Sequence, residues 1–247
     1  MKKLIVPALL LIVLGLSCQK PPTVVTVCST IHGAHQSNLN FTYDILFAFI
    51  DSCNPDVIGV ELRNEDLDSS QTYLSRSYPF EMREVLLRYN DRLIYGFDWL
   101  GTGIEGKAIP ENYFKELEVK KLERQLQTDS AMLAKMNRID SLARLKTALV
   151  LDASVEDLNS GRYDNLNIAY YKEMARLFNG TPYQPLIDFY SKRDEQIANN
   201  IIEIIKANPG KQLLFLMGAD HRSYTLNKLQ QEFKNTIRLN EVFKTAS

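Results

Sequence analysis

Thr23-Val24-Val25-Thr26-Val27-Cys28-Ser29 and, one helix further on, Asn54-Pro55-Asp56-Val57-Ile58-Gly59-Val60-Glu61-Leu62-Arg63 are the stretches that decide the fold. The first is short, β-branched and almost wholly apolar, and it ends in His32-Gly33-Ala34-His35, which reads as a buried strand running into a turn. From Thr42 the apolar residues Ile45, Leu46, Phe49 and Ile50 recur at helical spacing until Asn54-Pro55 stops them. Val57 to Val60 is then a second buried strand that delivers Glu61-Leu62-Arg63. Strand, helix and strand in so short a compass form a βαβ crossover, which predicts two parallel strands.

Working outward, Leu93 to Phe97 reads as a third strand, just before Asp98-Trp99. Between Glu111 and Ser160 there is neither glycine nor proline, and leucine, methionine and isoleucine recur every three or four residues among charges. This predicts a long helical segment, with Thr128-Asp129-Ser130 as a corner that caps a fresh helix. Another helix is expected from Pro185 to Ala207, with Leu186, Phe189, Ile197, Ile201 and Ile204 on one face. Gln212 to Met217 is an uninterrupted apolar strand entering Gly218-Ala219-Asp220-His221, with a helix expected from Tyr224 to Phe233. The expectation is an α/β fold: a central mixed or mostly parallel sheet, flanking helices and a long α-helical insertion at about 110–185, all within one domain over 23–247.

The start of the chain has a different character. Met1-Lys2-Lys3 is basic, and Leu4 to Leu16 is an apolar run broken by Pro7 and Gly15, the layout of a signal peptide. A bilayer core needs about 20 apolar residues, so this run is too short to span. Leu14-Gly15-Leu16-Ser17-Cys18 places a cysteine after small residues where a lipoprotein signal peptidase would cut, with Gly15 standing where such sites usually have a large aliphatic residue. The reading is a signal peptide over 1–17, a lipid on Cys18, a short tether over 18–22, and a protein exported and lipid-anchored to the bacterial cell envelope. Cleavage would remove Lys2 and Lys3 from a chain whose formal charge is -1, leaving it mildly acidic. No basic cluster or basic-aromatic stripe offers a footprint for nucleic acid. Cys28 and Cys53 would remain, able to pair outside the cytoplasm or to stay as buried free thiols.

In an open α/β sheet, ligands bind beyond the carboxyl ends of the strands, where the loops converge. All 3 histidines fall at such ends: His32 and His35 after the first strand, His221 after the last. The second strand delivers Glu61 and Arg63 and the third delivers Asp98. Gly33 and Gly218 admit positive φ or close approach where an imidazole must turn inward.

Ser29-Thr30-Ile31-His32, Pro55-Asp56-Val57-Ile58-Gly59-Val60-Glu61 and Gly218-Ala219-Asp220-His221 together resemble the TraB/TIKI superfamily, which includes GumN-like, erythromycin-esterase-like and ChaN-like proteins. That family carries a Gly-x-x-His after the first strand, a strand closed by Glu, and a second Gly-x-x-His late in the chain. Here Ser29 stands where the first motif has glycine. The resemblance covers residues 23–63 and 190–230 and implies roles for Arg193 and Asp194 on the late helix. His35 is additional, so either His32 or His35 can face inward; motif position favours His32.

Imidazoles and a carboxylate can hold a divalent ion (Mn, Co or Zn) that lowers the pKa of a bound water. On that reading His32, His221, Glu61 and His35 are the metal ligand candidates, Glu61 is a ligand or a general base, and Arg63 or Arg193 stabilises an oxyanion. The TIKI resemblance implies metal-dependent proteolysis of a small peptide. The erythromycin-esterase resemblance implies metal-independent hydrolysis of an ester. ChaN-like proteins imply haem held by a histidine, and TraB-like proteins imply capture of a peptide signal without turnover. The helical insertion is expected to roof the pocket and set specificity.

Overall fold

The computed structural model describes residues 21–240 and residue 242. The signal peptide and the lipidation site at Cys18 lie outside the described residues, among which no helix is long and apolar enough to cross a membrane. Five strands form one sheet: β1 (Thr23–Thr30), β2 (Val57–Val60), β3 (Leu93–Gly96), β4 (Gln212–Gly218) and β5 (Ile237–Asn240). Their order is β3-β2-β4-β1-β5, and every neighbouring pair is parallel. The sheet is thus wholly parallel rather than mixed. The βαβ reading of β1 and β2 holds for direction but not for adjacency, because β4 inserts between them and pairs with both.

A strand paired on both sides and covered on both faces must be apolar throughout, and β1 is buried along its whole length. β5 was not read from the sequence. Its Ile-Arg-Leu-Asn alternates between half-buried and exposed positions, as an edge strand does.

The helices among the described residues are α1 (Tyr43–Cys53), α2 (Gln71–Ser77), α3 (Phe80–Arg88), α4 (Tyr113–Glu116), α5 (Glu118–Leu126), α6 (Ser130–Leu133), α7 (Asn137–Asp152), α8 (Val155–Asn159), α9 (Arg162–Phe178), α10 (Gln184–Ala207) and α11 (Ala219–Phe233). Thr42 caps α1 by accepting the Ile45 N–H at 3.3 Å, and Asn54 ends it in the left-handed region at φ 39°. On one face of the sheet Leu46, Ile50, Leu74, Met82 and Val85 from α1, α2 and α3 pack on Ile58, Val60, Leu214 and Leu216. On the other, Ile197, Ile201 and Ile204 of α10 and Leu229 of α11 pack on Val25, Val27, Leu213, Phe215 and Met217. The alternation of β4 between these cores is the strand period of two. Gly59 is needed there, because a Cβ on it would stand 2.3 Å from Cδ1 of Phe215.

Helices α4 to α9 are the insertion. They have a third core of their own, built from Leu126, Met132, Met136, Ile139, Met174 and Phe178 with Leu186 of α10. Asp129 caps α6 by accepting the Met132 N–H at 3.0 Å, which makes the expected corner. The insertion is fastened to the end of β1. Asn159 Oδ1 accepts the Ser29 N–H at 2.8 Å, and Asn38 Nδ2 donates to the carbonyls of Val150 and Ala153, each at 2.9 Å. Cys28 and Cys53 are both free thiols.

Candidate active site

The register brings the carboxyl ends of β1, β2 and β4 together: Thr30 lies beside Gly218, and Val60 beside Leu216. One residue past β2, Glu61 turns its carboxylate under this edge and is 6% exposed. Its Oε2 accepts the Gly218 N–H at 2.5 Å, and its Oε1 accepts from Arg193 Nη2 at 2.9 Å. His221 Nε2 lies 3.4 Å from the same Oε1. Helix α11 begins at Ala219, earlier than the expected Tyr224, so His221 sits in its first turn instead of in a loop.

Each of two histidines is oriented through Nδ1 by a carboxylate. His221 Nδ1 meets Asp194 Oδ1 at 2.6 Å, and His32 Nδ1 meets Glu81 Oε1 at 2.7 Å. This leaves both Nε2 atoms for the site, in the arrangement that fixes tautomer and ring direction in histidine catalysis. His32 and Glu61 converge at Gly218. A Cβ there would stand 2.7 Å from His32 Nε2 and 3.3 Å from Glu61 Oε2. Gly218 is therefore required for space; its φ of -55° is ordinary. The positive φ expected near Gly33 belongs to His32 itself, at 50°.

Arg193, from the middle of α10, is the shared cation. Its Nη2 donates to Asp98 Oδ1 at 2.8 Å as well as to Glu61, its Nε donates to Trp99 O at 3.2 Å, and its Nη1 lies 3.1 Å from His221 Nε2. Burial opposes charge on Glu61, but His221, Arg193 and His32 outweigh it and hold the carboxyl well below the usual range. Asp98 goes the other way. Burial pushes it up, and although Arg193 opposes this, the charge on Glu61 adds to it. One guanidinium shared by two buried carboxylates separates their titrations.

Burial also opposes a charged His221. Glu61 and, through Nδ1, Asp194 overcome both that and Arg193, so its pKa is raised. For His32, burial lowers the pKa, while its hydrogen bond to Glu81 and the charges of Glu61 and Glu81 raise it by more, for a net rise. The His32 side chain is 39% exposed, which makes it the more accessible imidazole.

Two expected site residues are placed elsewhere. His35 is buried, with Nδ1 donating to Phe41 O at 2.6 Å and Nε2 accepting the Ile31 N–H at 3.3 Å. Both nitrogens are spent on backbone, and burial lowers the pKa, so this ring staples the turn and His32 is the inward histidine. Arg63 forms a fork with Asp66, with Nε to Oδ2 at 2.7 Å and Nη2 to Oδ1 at 2.9 Å. It also donates to the carbonyls of Ile104 and Lys107. Its donors hold the loop after β3 and do not turn toward Glu61, whereas those of Arg193 do.

The donors do not offer a divalent ion a shared position. The Arg193 guanidinium, a cation, stands within hydrogen-bond distance of both His221 Nε2 and Glu61 Oε1, and His35 is turned away; among the described residues no group of three His, Cys, Asp or Glu is arranged to hold a metal. The cavity over the site, lined by His32, Glu61, Arg193, His221, Val150 and Tyr163 among others, is about 260 Å³.

Glu81 was missed by the sequence reading. An acidic residue in the first turn of a helix is favoured by the dipole on any surface, so nothing marked it. Its burial is the informative fact: it is 0% exposed, Oε1 also accepts from Thr30 Oγ1 at 3.2 Å, and Oε2 has no hydrogen-bond partner among the described residues. No family model, curated protein or solved structure matches this chain.

Proposed function

We propose that this chain is a hydrolase that cleaves an ester by activating water with a histidine–carboxylate pair. The observation that carries the reading is the pair of imidazoles, each held at Nδ1 by a carboxylate, facing one buried Glu61 beside Arg193. His32 Nε2 is the general base, being the exposed one. It takes a proton from water as the water oxygen attacks the ester carbonyl carbon, and Glu81 steadies the imidazolium that forms. The proton then passes from His32 to the departing alkoxide as the C–O bond breaks, giving a carboxylic acid and an alcohol. Protonated His221 and the Nη1 hydrogens of Arg193, which a protonated His221 cannot accept, stabilise the oxyanion. Glu61 is too strong an acid to serve as the base; it holds the two cations in place. The resemblance to erythromycin-esterase-like proteins supports the same reading. We further propose export and lipid anchoring through Cys18, so that the reaction takes place in the cell envelope.

The test is a pH–rate profile on 4-nitrophenyl butyrate. A base must be deprotonated to act, so kcat/KM rises with pH through an apparent pKa above the ordinary histidine value of 6.5. Glu81→Gln moves that rise to lower pH, and His32→Ala lowers kcat/KM by about 10²–10⁴-fold. Wild-type activity in His32→Ala, or activity that tracks bound Mn, Co or Zn, overturns the mechanism. Anchoring is checked separately: Cys18→Ser moves the protein from the membrane fraction to the soluble one.

A further inference from the structure

A second cavity, about 530 Å³, lies inside the helical insertion and shares Val150, Tyr163 and Asp220 with the cavity over the strand ends. Its size suits a small organic molecule, for which about 300–1,000 Å³ is usual. The walls come from separate helices: Ala143, Lys146 and Val150 from α7, Tyr163, Tyr170, Tyr171 and Met174 from α9, Leu126 from α5, and Leu186 and Tyr190 from α10. Tyrosine faces and flexible methionine suit an apolar or aromatic guest of irregular shape.

The charges in this wall are already matched to one another. Lys146 Nζ pairs with Asp220 Oδ1 at 2.8 Å, donates to Asn167 Oδ1 at 2.6 Å and stands over the Tyr170 ring at 4.4 Å. Tyr163 donates to the same Asp220 Oδ1 at 2.6 Å. Glu123 pairs with Lys120 at 2.9 Å and accepts from the Tyr190 hydroxyl. A charged guest would lose its water and find no opposite charge unengaged.

We infer that this cavity receives an uncharged apolar group, an alkyl chain or aromatic ring, from the molecule whose ester bond lies at the strand ends. This names the substrate class and rests on the hydrolase reading for the second half of the molecule only; occupancy of the cavity is independent of catalysis. The shared wall of Val150, Tyr163 and Asp220 is then where the chain would cross from the cavity to the catalytic groups.

The experiment titrates full-length protein with N-phenyl-1-naphthylamine, an uncharged apolar fluorophore, and with 8-anilinonaphthalene-1-sulfonate, an anionic one of similar size. Wild type is expected to bind the neutral probe saturably at one site and the anionic probe at least 10-fold more weakly. Ala143→Phe, which fills the cavity from α7, and Gln127→Trp, which fills it from the exposed end of α5, each weaken the neutral probe by at least 10-fold. Two variants on different helices guard against misfolding of either one. His32→Ala leaves probe binding unchanged. On 4-nitrophenyl esters of increasing acyl length, KM falls with length in wild type and stops falling in Ala143→Phe.

Absence of saturable neutral binding, indifference to both filling variants, or tighter binding of the anionic probe overturns the inference. Binding that behaves as expected without hydrolysis of any ester leaves the cavity assignment standing and removes the hydrolase reading instead.

Discussion

The strand-end site and the cavity of the helical insertion are neighbours that share a wall, yet they are built on opposite principles. At the strand ends, Glu61, Asp98, His221 and Arg193 are buried against one another, and no member can leave without stranding a charge. In the insertion, the paired groups border open volume, and Asp220 keeps 39% of its side chain exposed. A closed network fixes positions, whereas a lined void tolerates different guests. The layers beneath reflect the same division. The first region stands on a continuous parallel sheet with a core on each face, the second on a separate core of short helices.

The sharpest way to break this comparison is to remove the shared cation. Arg193→Met leaves Glu61 and Asp98 buried and facing each other, and breaking a buried pair from one side costs about 3–5 kcal/mol. The urea midpoint should fall accordingly. A loss under about 1 kcal/mol would show that water reaches these carboxylates and that the network is not closed.

The same operation in the insertion should cost less. Lys146→Met keeps side-chain length and packing against the three tyrosines, and Asp220 keeps the Tyr163 hydroxyl and contact with water. What is lost is the pair with the part-exposed Asp220 and the partner of Asn167 Oδ1, together worth about 1–3 kcal/mol. Equal losses for Arg193→Met and Lys146→Met in urea unfolding would erase the distinction between the regions.

The two regions also differ in how far the sequence exposed them. At the sheet edge, strand ends are marked by the switch from apolar run to polar residue, so the sequence alone places Glu61, Asp98, His32 and His221 together. The order of strands was less visible. Nothing in β4 says that it inserts between β1 and β2, because insertion depends on long-range pairing and not on local pattern. The insertion was legible as helices and as a corner at Asp129, but its cavity was not. Lys146 sits on a helix among many charges, and nothing in the local sequence sets Tyr163, Tyr170 and Tyr171 apart from tyrosines of an ordinary packed helix. Voids arise where helices fail to close, and no residue type announces that. Arg63 and His35 misled for a related reason: chemistry-bearing residues at strand ends are also the ones that can tie down loops, and both do so here.

The smallest expected effect concerns the backbone under His32. Its φ of 50° lies in the left-handed region, which L residues other than glycine adopt at a cost. Replacing His32 by Ala or by Gly removes the same imidazole and leaves Glu81 Oε1 in the same state, so the difference between the two variants isolates the dihedral. His32→Gly should be more stable than His32→Ala by about 0.5–1 kcal/mol in urea unfolding, since glycine enters this region freely while alanine does not, and the entropy of the unfolded glycine chain offsets part of the gain. Both variants should lose the same about 10²–10⁴-fold in kcat/KM. If alanine proves the more stable, the turn relaxes once the Glu81 contact is gone, and the φ at His32 is imposed by the imidazole and not by the turn that carries it. The positive φ would then be part of how Glu81 aims His32 at the site.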